Sequence, residues 1–192
     1  SIFTNAGQIC NAGSRLYAHA KVFDQLVERV ADYADKIVLG AGLDPATQMG
    51  PVVSEEQQKR DQGYVESGLQ QGATRMTKRD AAEAHGYFVR PTVLTNTHAS
   101  MRVVREEIFG PVLCAMRFEE SELSEIAAVA NANDYGLGAV VWTNNLSAAH
   151  HLVRKLKAGT VRVNGGGLDP ALPFGGFKQS GWGRENGRAG IE

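Results

Sequence analysis

Strand-like and helix-like segments alternate along the carboxyl-terminal part of the chain. Residues 112–118, 139–143 and 160–164 have the apolar pattern of buried strands, and residues 121–133 and 147–157 place apolar side chains on one face of a helix. Short links between such elements require right-handed crossovers, so the strands run parallel and helices cover the sheet. The alternation therefore predicts an α/β fold.

The amino-terminal part of the chain continues this pattern. Residues 16–20 are predicted to form a strand, and residues 23–38 repeat apolar side chains at the three-and-four spacing of an amphipathic helix. Ser54, followed by two glutamates, is a favourable N-cap for a second helix. Residues 87–94 are predicted to be extended, and Pro91 within them predicts an edge position in the sheet.

Composition argues against several classes of protein. The 192 residues carry 20 Lys and Arg against 21 Asp and Glu, a net charge of −1, which lacks the basic surplus of a nucleic-acid-binding domain. No apolar run approaches the ~20 residues that span a bilayer. Only two cysteines occur, so a reducing compartment is expected rather than a disulfide framework. We predict a cytoplasmic protein of one domain that binds neither nucleic acid nor membrane.

The chain begins at Ser1 rather than at a methionine, and apolar and turn-forming residues follow immediately. Natural termini are usually polar and loosely attached. We therefore expect the sequence to be a piece of a longer polypeptide.

Cys10 lies among small and turn-forming residues, with Gly7 before it and residues 12–14 after it. If Cys10 opens a helical turn, unpaired backbone N–H groups and the helix dipole would favour its thiolate and could bind an oxyanion. The alternative is a buried structural cysteine, the commoner fate of a lone cysteine. For Cys114, inside an apolar strand, we predict the buried position.

Two adjacent acids, Glu106 and Glu107, precede a Gly-Pro turn. Such a pair is usually a solvated entry to a strand, but a carboxylate held there could also accept hydrogen bonds from a sugar diol. Phe109 lies two residues after Glu107 and therefore on the same face of an extended chain, where it could support a planar ring.

Metal and phosphate motifs are not found in the sequence. The five histidines do not have the spacing of metal ligands, and the side chains of the adjacent pair His150 and His151 diverge on a helix. Neither of the common glycine-rich phosphate-binding motifs occurs. We predict no metal site.

Four segments, in order along the chain, resemble blocks of the NAD(P)-dependent aldehyde dehydrogenase family. Residues 3–14 resemble its cysteine active-site signature, and residues 106–111 read Glu-Glu-Ile-Phe-Gly-Pro as in the family. Residues 159–164 and 173–181 resemble two further blocks. The resemblance covers essentially the whole chain and implies the family's catalytic domain, a three-layer sandwich with a mostly parallel sheet flanked by helices.

The resemblance implies a role for five residues. Cys10 would be the nucleophile that forms a thiohemiacetal with an aldehyde and then a thioester. Glu107 would bind the hydroxyls of the nicotinamide ribose, and Phe109 would pack near the nicotinamide. Phe174 would line the substrate tunnel, and Glu185 would help to relay protons.

Two basic residues near Glu185, Lys178 and Arg184, would position the loop that carries it. A solvated charged loop is the alternative interpretation of this segment.

The resemblance also implies that residues 1–192 are a catalytic domain alone. The family's general base, oxyanion-hole asparagine and nucleotide-binding domain lie upstream, and the terminal strand that usually joins subunits lies downstream. We expect the isolated chain not to turn over, because loss of a general base alone costs ~10²–10⁴-fold. The parent would use NAD or NADP, with NAD favoured, and would form a homodimer or homotetramer.

Residues 172–181, with Gly-Leu-Asp-Pro before them, resemble family members that act on phenylacetaldehyde-like or other apolar aldehydes. Residues 165–170 contain no Arg or Lys, which argues against an aldehyde with a distal carboxylate. Two other functions are considered. A stand-alone cysteine acyltransferase or hydrolase would need a histidine base, and neither glycine-rich loop contains one. A non-catalytic fragment would self-associate through apolar surface that the missing domains would cover.

Overall fold

The computed structural model describes residues 2–79, 86–119, 123–167 and 169–191. The chain divides into two compact units, Ser1–Phe118 and Glu119–Glu192. Each unit is described by itself.

The first unit contains a four-stranded sheet with helices on both faces. Its elements, in chain order, are β1 (Arg15–His19), α1 (Ala20–Lys36), α2 (Glu55–Gln70), β2 (Thr74–Arg75), β3 (Thr92–Thr95), α3 (Arg102–Arg105) and β4 (Val112–Phe118). The strand order is β1-β4-β3-β2, in which β4 runs parallel to both β1 and β3, and β2 is antiparallel to β3.

Side chains of the central strands alternate between two cores. Val93, Leu113 and Ala115 point to one face, where they meet the apolar side of α1. Leu94 and Cys114 point to the other face, towards α2 and α3. This period of two is the geometry of a pleated strand covered on both faces, so the first unit has three layers.

Polar side chains fix where the two long helices begin. The side chain of His19 accepts a hydrogen bond from the backbone N–H of Lys21 and caps α1, which starts at Ala20. Ser54 Oγ accepts from the N–H of Gln57 at 3.2 Å, which confirms Ser54 as the predicted N-cap of α2.

The second unit contains two short two-stranded sheets and two helices. Its elements are α4 (Leu123–Asn131), β5 (Tyr135–Gly136), β6 (Gly138–Val141), α5 (Leu146–Lys155), β7 (Thr160–Val163) and β8 (Phe177–Lys178). Strands β6 and β7 are parallel, and β5 and β8 are antiparallel. The Asn131 side chain donates to Lys155 O and accepts from Lys157 N, each at 2.8 Å, and so joins the ends of α4 and α5.

The predicted α/β class, with mostly parallel strands flanked by helices, is confirmed. The strand predicted at residues 112–118 has those bounds, and the strands predicted at 139–143 and 160–164 are Gly138–Val141 and Thr160–Val163. The helix predicted at 121–133 is described over Leu123–Asn131, and residues 121 and 122 lie outside the described part of the chain. The partners of β4 come from earlier in the sequence, a pairing that the local alternation did not predict.

One prediction about the sheet is wrong. Pro91 was expected to mark an edge strand, yet β3 lies between β4 and β2. The physical reason is position, because Pro91 comes just before the first strand residue, Thr92, and its missing N–H removes no bond from the ladder.

Candidate active site

Cys10 lies in a tight turn. The backbone N–H of Ala12 donates to Ile9 O at 3.0 Å, and Cys10 and Asn11 are the central residues of this turn. The Cys10 side chain is exposed and its thiol is free. The buried interpretation of Cys10 is therefore wrong. The turn that Cys10 opens leads into β1 rather than into a helix, so the helix dipole considered for its thiol does not apply here.

Cys114 behaves differently. It is 1% exposed, in the middle of β4, and its Sγ donates to Val103 O at 3.5 Å. Burial raises the pKa of the Cys114 thiol to about 12. Its predicted core position is confirmed, and it is not available as a nucleophile near neutral pH.

The Cys10 segment is anchored on both sides. Before the cysteine, Gln8 Oε1 accepts a hydrogen bond from Val53 N at 2.9 Å. After it, Ser14 O accepts from Cys114 N at 2.9 Å, where β1 begins beside β4. The thiol therefore sits on a short loop whose two ends are fixed to the body of the first unit.

Gly7 brings this segment against the Glu-Glu-Ile-Phe-Gly-Pro segment, residues 106–111. Gly7 has φ +75°, and a Cβ at this position would overlap the backbone carbonyl of Gly110. Only glycine combines this left-handed backbone with so close an approach. Two sequence-predicted site segments, one with Cys10 and the other with Glu107 and Phe109, are thus in direct backbone contact.

Glu107 and Phe109 both present exposed side chains. The Phe109 ring is 38% exposed, and its backbone has φ +64°, in the left-handed region that a bulky residue rarely adopts. Such strain persists only where surrounding contacts impose it, and it clusters at ligand-binding sites. An exposed carboxylate two residues from an exposed ring suits a ligand with hydroxyl groups and a planar ring.

Helix α2 supplies the contacts that impose this backbone. Gln57 Nε2 donates to the carbonyls of Ile108 and Phe109 at 3.1 and 3.3 Å. Arg60 Nη2 donates to Glu107 O at 2.8 Å. The segment is therefore held through its backbone, which leaves the Glu107 carboxylate and the Phe109 ring facing outward.

The two adjacent glutamates have different environments. Glu106 Oε2 accepts a hydrogen bond from Tyr64 Oη at 2.7 Å and pairs with Arg102 Nε at 3.0 Å. The Tyr64 hydrogen bond and Arg102 lower the pKa of Glu106. Glu106 is thus bound to α2 and α3 although its side chain is half exposed, and Glu107 contacts α2 through its backbone carbonyl.

The second unit brings Phe174 and Glu185 together. Phe174 N donates to Glu185 O, and Glu185 N donates to Phe174 O, both at 2.7 Å. The Phe174 side chain is half-buried and that of Glu185 is exposed. The structure therefore gathers the five predicted site residues in two groups, with Cys10, Glu107 and Phe109 in one unit and this pair in the other.

Lys178 and Arg184 hold the backbone of the loop around this pair. Lys178 Nζ donates to the carbonyls of Asn131 and Asn133 at 2.6 and 2.9 Å, at the end of α4. Arg184 Nη1 donates to Gly176 O at 2.8 Å and its guanidinium lies 5.2 Å from the Phe177 ring centroid. Both cations therefore bind backbone carbonyls, which the alternative interpretation of a solvated charged loop does not predict.

Sequence reasoning missed the polar face of α2. Gln57, Arg60, Asp61 and Tyr64 follow the i, i+3, i+4, i+7 spacing of one helix face, and all four contact residues 106–110 or lie against them. The signal was present, because this spacing normally marks the buried side of a helix, but polar residues occupy it.

Metal-binding and membrane-spanning features were sought throughout the described ranges. Across 2–79, 86–119, 123–167 and 169–191, no cluster of three or more His, Cys, Asp or Glu side chains is placed to hold a metal ion. No helix in the same ranges combines the length and the apolar character needed to cross a membrane.

Comparison with known proteins identifies the class. The model of the aldehyde dehydrogenase family matches residues 1–192, so the chain belongs to the aldehyde dehydrogenase family. Phenylacetaldehyde dehydrogenase of Pseudomonas fluorescens is 44% identical over 195 residues. The mitochondrial aldehyde dehydrogenase of Leishmania tarentolae is 41% identical over 192 residues. Each alignment covers 100% of this chain and 38% of the relative.

Solved structures agree with this assignment. An NAD⁺ complex of an aldehyde dehydrogenase from Bacillus cereus matches with a TM-score of 0.93 and 45% identity, over 99% of this chain and 38% of that chain. Betaine aldehyde dehydrogenase from Staphylococcus aureus, in complex with NAD⁺, matches with a TM-score of 0.92 and 38% identity. The match covers 98% of this chain and 38% of that chain. The chain thus spans less than two fifths of the length of these relatives.

Proposed function

We propose that this chain is the catalytic domain of an enzyme that oxidises an aldehyde to a carboxylic acid with NAD or NADP. One observation carries the proposal. The exposed thiol of Cys10 lies on an anchored loop, and Gly7 of that loop is in backbone contact with the segment that presents Glu107 and Phe109. Membership of the aldehyde dehydrogenase family supports the same chemistry.

Cys10 is the nucleophile in this proposal. Its sulfur adds to the aldehyde carbon to give a thiohemiacetal, and loss of a hydride from that carbon together with the proton of its hydroxyl group leaves a thioester on the sulfur. Water then hydrolyses the thioester, which releases the acid and restores the thiol. The second cysteine, Cys114, is buried and takes no part.

The residues around Phe109 fit a nicotinamide nucleotide. The exposed Glu107 carboxylate suits the hydroxyls of a ribose, and the exposed Phe109 ring suits the face of a planar heterocycle. When bound, the oxidised nicotinamide accepts the hydride. NAD is favoured over NADP, since the relatives of known structure include NAD⁺ complexes.

Phe174 and Glu185 are assigned supporting roles. Phe174 lines the path of the substrate, and Glu185, joined to it by two backbone hydrogen bonds, relays protons. The complete protein contains a nucleotide-binding domain outside residues 1–192, assembles as a homodimer or homotetramer, and works in the cytoplasm. The isolated chain binds the substrate and is acylated at Cys10, but it does not complete the catalytic cycle.

The proposed substrate is an apolar, phenylacetaldehyde-like aldehyde. Residues 165–170 carry no cationic side chain, and phenylacetaldehyde dehydrogenase is among the relatives. Betaine aldehyde dehydrogenases at 42% identity are also among them, so betaine aldehyde is the informative comparison substrate.

Acylation of the chain by p-nitrophenyl phenylacetate tests the proposed nucleophile. We expect peptide mass spectrometry to find the phenylacetyl group on Cys10 and not on Cys114, and to lose it in the Cys10→Ser variant. The Cys114→Ala variant is the matched control and retains the label. Acylation elsewhere, or its persistence in Cys10→Ser, would contradict the proposal.

The alternative function, a non-catalytic fragment that self-associates, is favoured by one observation. In the second unit Trp142 is 73% exposed and Trp182 is 93% exposed. Light scattering across a concentration series distinguishes the two, because a monomer at high concentration would argue against self-association.

A further inference from the structure

Asp61 is a buried acid directly behind the segment that presents Glu107 and Phe109. It lies on α2 and is 0% exposed. A Cβ at Gly110 would overlap all three atoms of its carboxyl group. The carboxyl and the backbone of Gly110 are therefore in contact, with no side chain between them.

The two oxygens of Asp61 have different surroundings. Oδ1 accepts a hydrogen bond from Gln57 Nε2 at 2.7 Å. Oδ2 is buried and makes no hydrogen bond to any residue that the structure describes. Buried polar atoms are normally satisfied, so an orphaned oxygen at this place calls for an explanation.

The same Gln57 amide joins Asp61 to the segment. Besides Asp61, Nε2 donates to Ile108 O and Phe109 O, so one amide group connects the carboxyl to two carbonyls. The position of the Asp61 carboxyl thus determines where Gln57 can hold residues 108 and 109. Phe109 has its left-handed backbone at this point.

We propose that Asp61 is a positioning residue, whose buried carboxyl sets the backbone of residues 108–110 through Gln57 and through its contact with Gly110. The relevance of this to cofactor binding rests on the proposed function of Glu107 and Phe109. When the carboxyl of Asp61 gains or loses a proton, we expect the backbone of residues 108–110 to respond.

The electrostatics of the site support this. Burial raises the pKa of Asp61 to about 7, against the lowering effects of the Gln57 hydrogen bond and the charge of Arg60. The acid therefore changes its charge near neutral pH instead of near pH 4. Further titratable or charged groups in contact with this face of α2 are Tyr64 on the helix itself, Arg102 on α3, and Glu106 and Glu107, which follow α3.

The test follows the backbone amides of Ile108, Phe109 and Gly110 by NMR in the full chain as pH is varied. We expect the three amides to shift together with a midpoint near 7, and the Asp61 carboxyl carbon to titrate with the same midpoint. Asp61→Asn keeps an oxygen for Gln57 but cannot ionise, and we expect it to abolish the shift. Asp44→Asn, at an exposed acid whose Oδ1 accepts from Ala46 N in its own loop, is the matched control and retains it.

Three results would overturn the inference: amides that do not move near neutral pH, movement that survives in Asp61→Asn, or a carboxyl midpoint that differs from that of the amides. The carboxyl measurement uses the wild-type chain, so it decides even where the variant fails to fold. None of these readouts needs Cys10 or a nucleotide. If Cys10 is not acylated but the three amides still shift with pH, the proposed function is contradicted and this inference stands.

Discussion

The hydroxyl of Tyr64 donates a hydrogen bond to Oε2 of Glu106 at 2.7 Å, across a sequence separation of 42 residues. This bond gives two adjacent glutamates different tasks. Glu106 fixes the segment to α2, and the side chain of Glu107 is exposed beside it.

Removing the Tyr64 hydroxyl should therefore destabilise the chain without touching Glu107. We expect Tyr64→Phe to lower the free energy of unfolding at pH 7 by about 1 kcal/mol, the usual net contribution of such a hydrogen bond. Because Tyr64 holds the pKa of Glu106 below its ordinary value, this stabilisation is present at neutral pH and is lost as pH falls through the pKa of Glu106.

Urea denaturation at pH 7 and at pH 3 measures this effect. Tyr33→Phe, at a tyrosine that is 63% exposed, is the matched control and should change stability by less than about 0.5 kcal/mol. A Tyr64→Phe effect that is equal at both pH values would contradict the assignment.

Gly110 is predicted to be intolerant of a side chain because of Asp61. Gly110→Ala forces its Cβ into the Asp61 carboxyl, and overpacking of this kind costs about 1–3 kcal/mol. Gly63→Ala, on α2 with open space around the new Cβ, is the control and should stabilise by up to about 1 kcal/mol through helix propensity.

A double-mutant cycle locates the clash. Asp61→Ala removes the carboxyl, so Gly110→Ala should cost less in that background, with a coupling free energy above about 0.5 kcal/mol. Additive effects would show that Gly110 is constrained by something other than Asp61.

Because Asp61 is buried, we predict an unusual dependence of the free energy of unfolding on pH. Burial raises the pKa of Asp61 in the folded chain. The protonated side chain is therefore buried without an electrostatic cost, whereas burial of the ionised side chain lowers the free energy of unfolding. The contribution therefore falls as pH rises from about 4 towards 7 and is constant above that. Raising the pKa of Asp61 from 3.8 to about 7 corresponds to on the order of 4 kcal/mol of stability at neutral pH.

Chemical denaturation of the wild type and Asp61→Asn between pH 4 and pH 8 measures the contribution of Asp61 ionisation to the free energy of unfolding. The free energy of unfolding of the variant, relative to the wild type, should increase as pH rises from 4 towards 7 and then level off. A difference that does not depend on pH would show that Asp61 ionises normally in the folded chain.

Gly7 is predicted to be the residue that lets the Cys10 loop approach residues 106–111. Gly7→Ala combines a left-handed backbone, which costs a non-glycine residue about 1–2 kcal/mol, with overlap of the Gly110 carbonyl. Gly13→Ala, on the other side of Cys10 with open space around it, should change stability by less than about 0.5 kcal/mol. Equal effects of the two variants in thermal denaturation would argue against the contact.

The sequence allowed much of the fold to be predicted, because apolar periodicity is a local signal. The strand at residues 112–118, the Ser54 cap and the burial of Cys114 all follow from residues close in sequence. The edge assignment based on Pro91 failed because strand order is set by partners far along the chain.

The candidate site was predicted only in part, for the same reason. Motif resemblance named Cys10 and Glu107, but nothing local places α2 beneath residues 106–110. Gln57 reaches Ile108 and Phe109 across 51 and 52 positions, and the partnership of Asp61 with Gly110 spans a similar distance. Such pairings become visible only once the chain is folded.

The exposure of Cys10 was likewise beyond local reasoning. Its small neighbours were compatible with a buried thiol or with the opening of a helical turn. The turn closed by Ile9 and Ala12 decided between them.

Cys10 is a reactive nucleophile in the proposed function, and the rate of its alkylation by iodoacetamide tests that proposal most directly. The reference is a Cys10→Ser chain carrying Leu43→Cys, since Leu43 is 100% exposed and offers a thiol without a built environment. With mass spectrometry following each site at pH 7, we expect Cys10 to react several-fold faster than the thiol at position 43, and Cys114 to stay unlabelled. A Cys10 that reacts no faster than the reference thiol would contradict the account.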